Sequence, residues 1–423
     1  MKTVIMAGGK GTRIQSIAKD IPKPMIKIAG KPVLEHEIIC LRDQGFKDII
    51  LTINHLGNII QDYFKDGKWL GVNIDYYVEE TPLGNAGALF KIKDKLSDDF
   101  LLLNADSIFD VDFNRFVSFH KEKKAQVTLF THPNSHPYDS GLIFVDENKA
   151  VTKWLTKEDD RPKYYHNRVN AGLHVISKKV LDSVNVEGEK VDLDRAILKP
   201  LANTGKMFAY DSSEYVKDMG TPDRFYAVEK DFNSGIVSRR NRLHKQKAIF
   251  LDRDGTINEY RKFITDIDQF VLLDESVEAI KKINQSEYLA IVITNQPVIA
   301  RGEVTLEYLD LIHQKMETEL GKRGAYIDGL YFCPHHPDKG FEGERIEYKI
   351  DCSCRKPKPG LIFKACEDFN IDPKQSYMIG DSKIDVECGI NAGCKTGFIL
   401  GRECDLSPDI SANNLLEIVD KII

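Results

Sequence analysis

With 423 residues the chain exceeds what one hydrophobic core usually supports, so two domains of roughly 150–250 residues are expected. Its 59 Lys plus Arg against 65 Asp plus Glu leave a formal net charge of −6, which argues against broad, charge-driven nucleic-acid binding; any anionic partner must be met by local Arg and Lys. Met1 to Gly8 runs straight into a strand and turn, with no cationic segment, long apolar stretch or small-residue cleavage site, so a cytoplasmic protein without membrane contact is expected.

Strand-like apolar runs alternate with helical patterns along most of the chain, the pattern of parallel sheets with crossover helices, so both halves are read as α/β. In the first half the strand candidates are 3–6, 48–53, 73–78 and 100–103. The first strand ends in Gly8-Gly9-Lys10-Gly11-Thr12-Arg13, a turn whose backbone N–H groups and missing side chains let a nucleotide approach closely, with Arg13 able to follow a polyphosphate. It lacks the spacing of a P-loop and the third glycine of a dinucleotide fingerprint.

Further along come Ile21-Pro22-Lys23-Pro24-Met25, Gly30-Lys31-Pro32, Pro82-Leu83-Gly84-Asn85-Ala86-Gly87-Ala88, Asn104-Ala105-Asp106, Asn170-Ala171-Gly172 and Asp218-Met219-Gly220-Thr221-Pro222. In this order residues 1–232 resemble the sugar-1-phosphate nucleotidyltransferases, and within them the mannose-1-phosphate and heptose-1-phosphate guanylyltransferase branch. The resemblance implies a Rossmann-like, GT-A-like domain in which Gly8, Gly9 and Gly11 hold the nucleotide and Arg13 steadies the leaving pyrophosphate. It further implies that Lys23 neutralises the attacking phosphate, that Asp106 and Asp218 hold magnesium, that Lys157 contacts the sugar phosphate, and that Asn170 and Gly172 bind the sugar. Two departures from the family pattern are Ala105, where a glycine is usual, and Thr156, where a glutamate precedes the lysine. The residue types suit the chemistry: attack of a sugar phosphate on the α-phosphorus of a nucleoside triphosphate gathers several negative charges and needs positioning more than a covalent nucleophile. Guanine presents two neighbouring donors that one carboxylate can accept together, and Glu79 or Glu80, just before the Gly84 turn, could supply it; Glu80 and Gly84 are counted as nucleotide-binding.

A helix from Thr221 to about Phe232 leads into Asn233-Ser234-Gly235 and a basic stretch, Arg239 to Lys245, read as a solvated linker or helix end. The domains are thus placed at 1–232 and 247–423, with a linker at 233–246.

The second half opens on Ala248-Ile249-Phe250-Leu251-Asp252-Arg253-Asp254-Gly255-Thr256, a buried strand ending in two carboxylates spaced to reach one phosphate. Thr294 ends the run Ala290 to Thr294, Lys356 lies in Arg355-Lys356-Pro357, and Gly380-Asp381-Ser382 is followed by Asp385. These four ordered motifs resemble the haloacid-dehalogenase superfamily. By that resemblance Asp252 is the nucleophile and Asp254 the general acid and base; Thr294 and Lys356 balance charge on the transferring group. Asp252, Asp381 and the backbone carbonyl of Asp254 hold magnesium, and Asp385 supports Lys356 or the metal's water shell. About forty residues separate Asp252 from Thr294, too few for a large inserted cap.

Cys333-Pro334-His335-His336 and Cys352-Ser353-Cys354 offer four tetrahedral ligands, Cys333, His335, Cys352 and Cys354, for a structural zinc, while Cys366, Cys388, Cys394 and Cys404 read as buried packing. This loop, running into Cys354 to Gly360, with Thr294-Asn295-Gln296 and Ala300-Arg301-Gly302, resembles heptose bisphosphate and histidinol phosphatases, although Pro297-Val298 departs from the heptose pattern. Asn295 and Arg355 are the candidates for the distal phosphate or sugar hydroxyls.

Together the resemblances imply a bifunctional enzyme of nucleotide-heptose synthesis: removal of the 7-phosphate of a heptose 1,7-bisphosphate, then coupling of heptose 1-phosphate to a nucleotide, with GTP the expected donor. The alternatives are a mannose-1-phosphate guanylyltransferase joined to a phosphatase acting on another sugar phosphate or on histidinol phosphate, and a chain with one catalytically silent, regulatory half.

Overall fold

The structure is a computed structural model in which residues 1–9, 14, 16–17, 20–184, 190–340 and 342–423 are described; Gly11 and Arg13 lie outside the described residues. The chain divides into two compact units, neither a single stretch of sequence. Residues 1–132, 141–156 and 169–241 form the first, and residues 133–140, 157–168 and 242–423 the second.

In the first unit the strand Thr3–Met6 lies between Asp48–Ile53 and Asp99–Asn104, parallel to both. Alternation along these strands sends Ile5, Leu51, Leu101 and Leu103 into one core and Val4, Ile50, Phe100 and Leu102 into the other, so both faces of the sheet are covered. Each such buried side chain contributes about 1.5–3 kcal/mol. The sheet runs Val151–Leu155, Leu142–Val145, Val169–Ser177, Asp99–Asn104, Thr3–Met6, Asp48–Ile53, Asn73–Val78, with Val127–His132 and Met207–Asp211 joined beside Val169–Ser177. The pairings of Val169–Ser177 with its neighbours are antiparallel. A separate ribbon pairs Tyr215–Asp218 with Ser107–Asp110. Chain connections leave Thr3–Met6 in opposite directions across the sheet, which opens a crevice at its carboxyl end.

The second unit holds a parallel sheet in the order Gly329–Cys333, Tyr288–Asn295, Lys247–Leu251, Tyr377–Gly380, Lys395–Ile399, Ile410–Ala412. Again the period-2 pattern feeds two cores, Ile249, Leu251 and Val292 on one side and Phe250, Ile291 and Ile293 on the other. The switch in direction falls at Lys247–Leu251, whose flanking strands end in Asn295 and Gly380.

The two early excursions pack within this second unit. The helix Leu306–Lys322 is N-capped by Thr305, which accepts from Tyr308 N at 3.1 Å. Thr318 Oγ1 on this helix accepts from Tyr165 N at 2.8 Å and donates to Tyr165 O at 3.0 Å. Glu317, 5% exposed, accepts from Asn167 N at 2.9 Å and pairs with His166 at 2.7 Å and Arg168 at 3.2 Å. Arg161 donates to Pro137 O at 2.6 Å, tying one excursion to the other.

The basic stretch begins as the end of a helix, Ile236–Arg239, and is exposed at Arg239 and at 243–245 but buried between them. Arg240, Asn241 and Arg242 are 3–7% exposed, Asn241 Nδ2 donates to Asp110 Oδ1 at 2.5 Å, and the Arg242 guanidinium lies 5.8 Å from the Phe369 ring centre. Long basic side chains can be buried this way when their stems pack and their heads find partners. Among the described residues no helix is long and apolar enough to cross a membrane.

Candidate active sites

The first site is a cleft of about 530 Å³ at the carboxyl end of the first unit's sheet, in the size range of small-molecule sites. It is lined by Gly8 and Gly9 after the first strand, Asn54 after the second, and Asn104, Ala105 and Asp106 after Asp99–Asn104. Lys23 also lines it; only 8% exposed, it points its ammonium at Asp106 Oδ2, 2.7 Å away. Gly84 and Glu79 complete one wall, with Glu79 Oε2 accepting from Leu83 N at 3.3 Å. Glu80 is exposed and is not among the lining residues, so the carboxylate presented to the cleft is that of Glu79.

Asp218 lies beside this region through the pairing of its strand with Ser107, and Met219 N donates to Asp106 O at 3.1 Å. Its carboxylate is occupied by Arg224, which donates to both oxygens at 3.1 and 2.9 Å, and by Gly220 N at 2.8 Å. Arg224 sits in the first turn of a helix whose N-cap is Thr221 and was given no role from the sequence. Gly172 has φ +77°, and a Cβ there would come 2.5 Å from Asn104 Nδ2, so the glycine makes room for a cleft side chain. Asn170 Oδ1 accepts from Gly172 N at 3.3 Å and bonds His174 Nε2 at 3.1 Å. Lys157 opens the excursion that belongs to the second unit and is not among the cleft's lining residues.

The second site is a smaller pocket of about 170 Å³ at the carboxyl end of the second unit's sheet. Asp252 and Asp254 follow Lys247–Leu251, Thr294 and Asn295 end the next strand, and Asp381 follows Tyr377–Gly380. Lys356 Nζ lies 2.7 Å from Asp252 Oδ1, 2.6 Å from Asp385 Oδ1 and 2.9 Å from Ile293 O, which uses its three donors. Burial disfavours the ammonium, but the two carboxylates outweigh it and hold the Lys356 pKa above the ordinary value. Burial pushes Asp252 up to about 7, Lys356 opposing and Asp385 adding to the rise. A nearby cation is therefore what would keep this carboxylate ionised against an incoming phosphate.

Asp252, Asp381 and Asp385 place one oxygen each within 4.8 Å of one another, a set able to hold a divalent cation. Asp385 is the least free of the three, because its Oδ1 takes Lys356 and its Oδ2 accepts from Ser382 N at 3.1 Å in a capping box. Gly255, at φ +86°, leaves space that Asp381 fills: a Cβ there would fall 2.0 Å from Asp381 Oδ2.

Asp254 is held by residues to which sequence reasoning gave no role. Arg253, 0% exposed, donates to both of its oxygens at 2.8–3.1 Å, Gln296 Nε2 donates at 2.9 Å and Asn258 Nδ2 at 3.1 Å. Burial alone would raise Asp254, yet the Arg253 charge and these hydrogen bonds outweigh it and hold the carboxyl below its ordinary value. Asp254 is thus held ionised by this clamp, and carrying a proton to a leaving group requires the clamp to loosen. The signal for it was an arginine set between the two aspartates just past the strand Lys247–Leu251. Asn295 grips the backbone of Lys356, accepting from its N–H at 3.0 Å and donating to its carbonyl at 3.1 Å, so it positions the lysine. Arg355 lines the pocket and donates to His335 O at 3.1 Å.

Cys333, His335, Cys352 and Cys354 also gather within 4.8 Å. Their sulfurs are 3.1–3.5 Å apart and His335 Nδ1 is 3.3 Å from Cys354 Sγ. A tetrahedral zinc with ordinary bonds would set sulfurs roughly 3.8 Å apart, so a slight expansion accommodates it. His336 turns away and accepts from Asp338 N at 3.2 Å. Of the other cysteines, Cys388 and Cys394 are buried, whereas Cys366 and Cys404 are only partly so.

The nucleotidyl transferase family matches residues 2–235, and the HAD-hydrolase-like family matches residues 353–406. A mannose-1-phosphate guanylyltransferase of Mycobacterium tuberculosis is 32% identical over 237 residues, 55% of this chain and 65% of that protein, so the chain spans less than two thirds of that relative's length. A D-glycero-beta-D-manno-heptose-1,7-bisphosphate 7-phosphatase of Pasteurella multocida is 40% identical over 177 residues, 41% of this chain and 93% of that protein. The crystal structure of HddC from Yersinia pseudotuberculosis aligns with 55% of this chain and 99% of its own, at 25% identity and a TM-score of 0.47.

Proposed function

The chain belongs to the nucleotidyl transferase family through its first half and to the heptose-bisphosphate 7-phosphatases through its second, and on that premise we propose that it makes a nucleotide-activated heptose in two steps. The observation that carries the reading is the joining of a near-complete heptose-bisphosphatase relative to a sugar-phosphate nucleotidyltransferase: the first reaction leaves a 1-phosphate, and the second consumes one. The proposed catalytic domains are residues 1–232 and 247–423, less the segments 133–140 and 157–168, which belong to the second compact unit.

In the phosphatase half Asp252 attacks the 7-phosphorus while Lys356 and Thr294 carry charge on the transferring group. Asp254 gives a proton to the departing alkoxide and then takes one from the water that cleaves the aspartyl-phosphate. Magnesium fits the donor set of Asp252, Asp381 and the Asp254 carbonyl and would supply charge neutralisation there. Zinc fits the Cys333, His335, Cys352 and Cys354 cluster as a closed structural site. Support for a pocket without a large cap comes from the stretch between Asp252 and Thr294, which holds a single α-helix, Asp274–Asn284, and a 3-10 turn.

In the nucleotidyltransferase half, a GT-A-like domain, Gly8, Gly9, Gly11 and Gly84 hold the nucleotide and Arg13 its leaving pyrophosphate. Lys23 neutralises the attacking phosphate, with Asn170 and Gly172 on the sugar side. Asp106 and Asp218 suit magnesium once Lys23 and Arg224 turn to phosphate. GTP is the proposed donor, supported by the guanylyltransferase relatives and by Glu79 at the cleft wall. The cytoplasm, where nucleoside triphosphates are available, is the proposed compartment.

The test is an endpoint mass-spectrometric assay of the protein with magnesium, each anomer of heptose 1,7-bisphosphate, and GTP, ATP, CTP and UTP in parallel. GDP-heptose is expected. Phosphate release without a nucleotide sugar would overturn the acceptor assignment and favour mannose 1-phosphate, the acceptor in the name of the first-half relative. Asp106→Ala is expected to lose nucleotidyl transfer and keep phosphatase, and Asp252→Asn the reverse; retention of the targeted activity would overturn that site.

A further inference from the structure

We infer that Arg402, stacked on Tyr260 at the mouth of the phosphatase pocket, receives the second phosphate of the substrate and sets the preference for bisphosphate over monophosphate esters. This rests on reading the second half as a sugar-bisphosphate phosphatase.

Asp252, Thr294 and Lys356, the residues proposed to meet the transferred phosphate, line the pocket together with Asp381 and Asp385. Three further cations, Lys262, Arg355 and Arg402, line the same pocket, and hydrolysis of a monoester with a neutral alcohol gives them no task. Arg355 is anchored to His335 O beside the cysteine cluster. Arg402 comes from the loop after Lys395–Ile399, outside all four sequence motifs. Its guanidinium carbon lies 3.5 Å from the centre of the Tyr260 ring, a van der Waals contact that only a guanidinium lying over the ring face permits. Stacking fixes the plane while leaving the N–H edges turned outward, the arrangement that takes an oxyanion through two parallel hydrogen bonds.

One of those edges faces Asp381 at 3.3–3.4 Å, the long end of hydrogen-bonding distance. Asp381 is also a proposed cation ligand. With a divalent cation satisfying that carboxylate, the guanidinium is available to an anion without leaving its aromatic shelf. Arg402 is 34% exposed at its side chain and Tyr260 50% exposed, so the pair can be reached from solvent.

The experiment compares wild type, Arg402→Ala and Arg402→Lys in the full chain on matched pairs: heptose 1,7-bisphosphate with heptose 7-phosphate, and fructose 1,6-bisphosphate with fructose 6-phosphate. In Arg402→Ala the bisphosphate-to-monophosphate ratio of kcat/KM is expected to fall about 10- to 100-fold, chiefly through KM, with partial recovery in Arg402→Lys. Equal losses on both members of a pair would overturn the inference. Mn2+ binding, followed by electron paramagnetic resonance, is expected to hold or tighten in Arg402→Ala; weaker binding would make Arg402 a brace for Asp381 and also overturn it. Wild type that prefers fructose 1,6-bisphosphate over its monophosphate but ignores both heptose esters would sink the heptose reading and leave the clamp standing. Wild type with no bisphosphate preference in either pair would sink the clamp.

Discussion

The ammonium of Lys356 lies 2.7 Å from the carboxylate of Asp252, with the lysine side chain 3% and the aspartate 14% exposed. Because Asp385 takes the other side of the same ammonium, one buried cation separates two carboxylates.

Lys356→Met should therefore do two things at once. It leaves Asp252 and Asp385 facing each other without a counter-charge, at a cost of about 3–5 kcal/mol to folding. It also removes phosphatase activity by about 10³-fold or more, since the transferring phosphoryl group loses its cation. Urea unfolding and phosphate release check the two effects; a variant of unchanged stability would mean that the carboxylates find another partner.

The cysteine cluster predicts one zinc per chain by elemental analysis. Cys352→Ser should lower the melting temperature and reduce bound zinc, and a strong chelator should do the same to wild type but little more to the variant. No bound zinc in protein prepared without chelator would remove the structural-zinc assignment.

Gly172→Ala brings a Cβ to 2.5 Å from Asn104 Nδ2 and forces φ +77° on an L residue, a strain of about 1–2 kcal/mol. Nucleotidyl transfer is expected to weaken while phosphatase activity stays, because Asn104 lines only the first cleft. Matched losses in both assays would point to general unfolding instead.

The strap formed by residues 165–168 gives a pH dependence with a definite sign. Burial works against the His166 charge, but Glu317 and Asp310 outweigh it and hold the imidazole at about 10, against an ordinary 6.5. Burial would raise Glu317, yet His166 and Arg168 bring it down to about 2 from 4.5. The histidine's contribution is complete below 6.5 and fades as pH rises through about 10. The glutamate's is complete above 4.5 and fades as pH falls through about 2. The strap's contribution to thermal stability should thus be greatest between 4.5 and 6.5, and His166→Ala should flatten the alkaline decline; an unchanged alkaline limb would show that the imidazole is not charged. Glu317→Ala, which leaves His166 and Arg168 without their shared partner, should cost about 3–5 kcal/mol.

Much of this was readable in the chain itself. Continuous apolar runs such as Ala248 to Leu251 announce a strand covered on both faces, and a carboxylate or glycine turn at such a strand's end announces a site, because backbone ends there with its polar groups exposed. Resemblance to two families, carried by motifs in order, selected Lys23, Asp106, Asp252, Lys356 and Asp381, and the Cys and His spacing offered the four zinc candidates. What sequence order could not supply was which side chain faces inward and what answers it. Glu79 rather than Glu80 reaches the cleft because neighbours in an extended segment point to opposite sides. Arg253 clamps Asp254, Arg224 engages Asp218, Arg402 lies on Tyr260, and Glu317 holds residues 150 positions upstream. The sequence by itself determined the α/β class and the chemistry at the strand ends, because periodicity and reactive residue types are local properties. The tertiary structure alone decided the partners of those groups and the membership of the two units, because electrostatic and hydrogen-bond pairing depends on distance in space, and the chain returns to a site from far away.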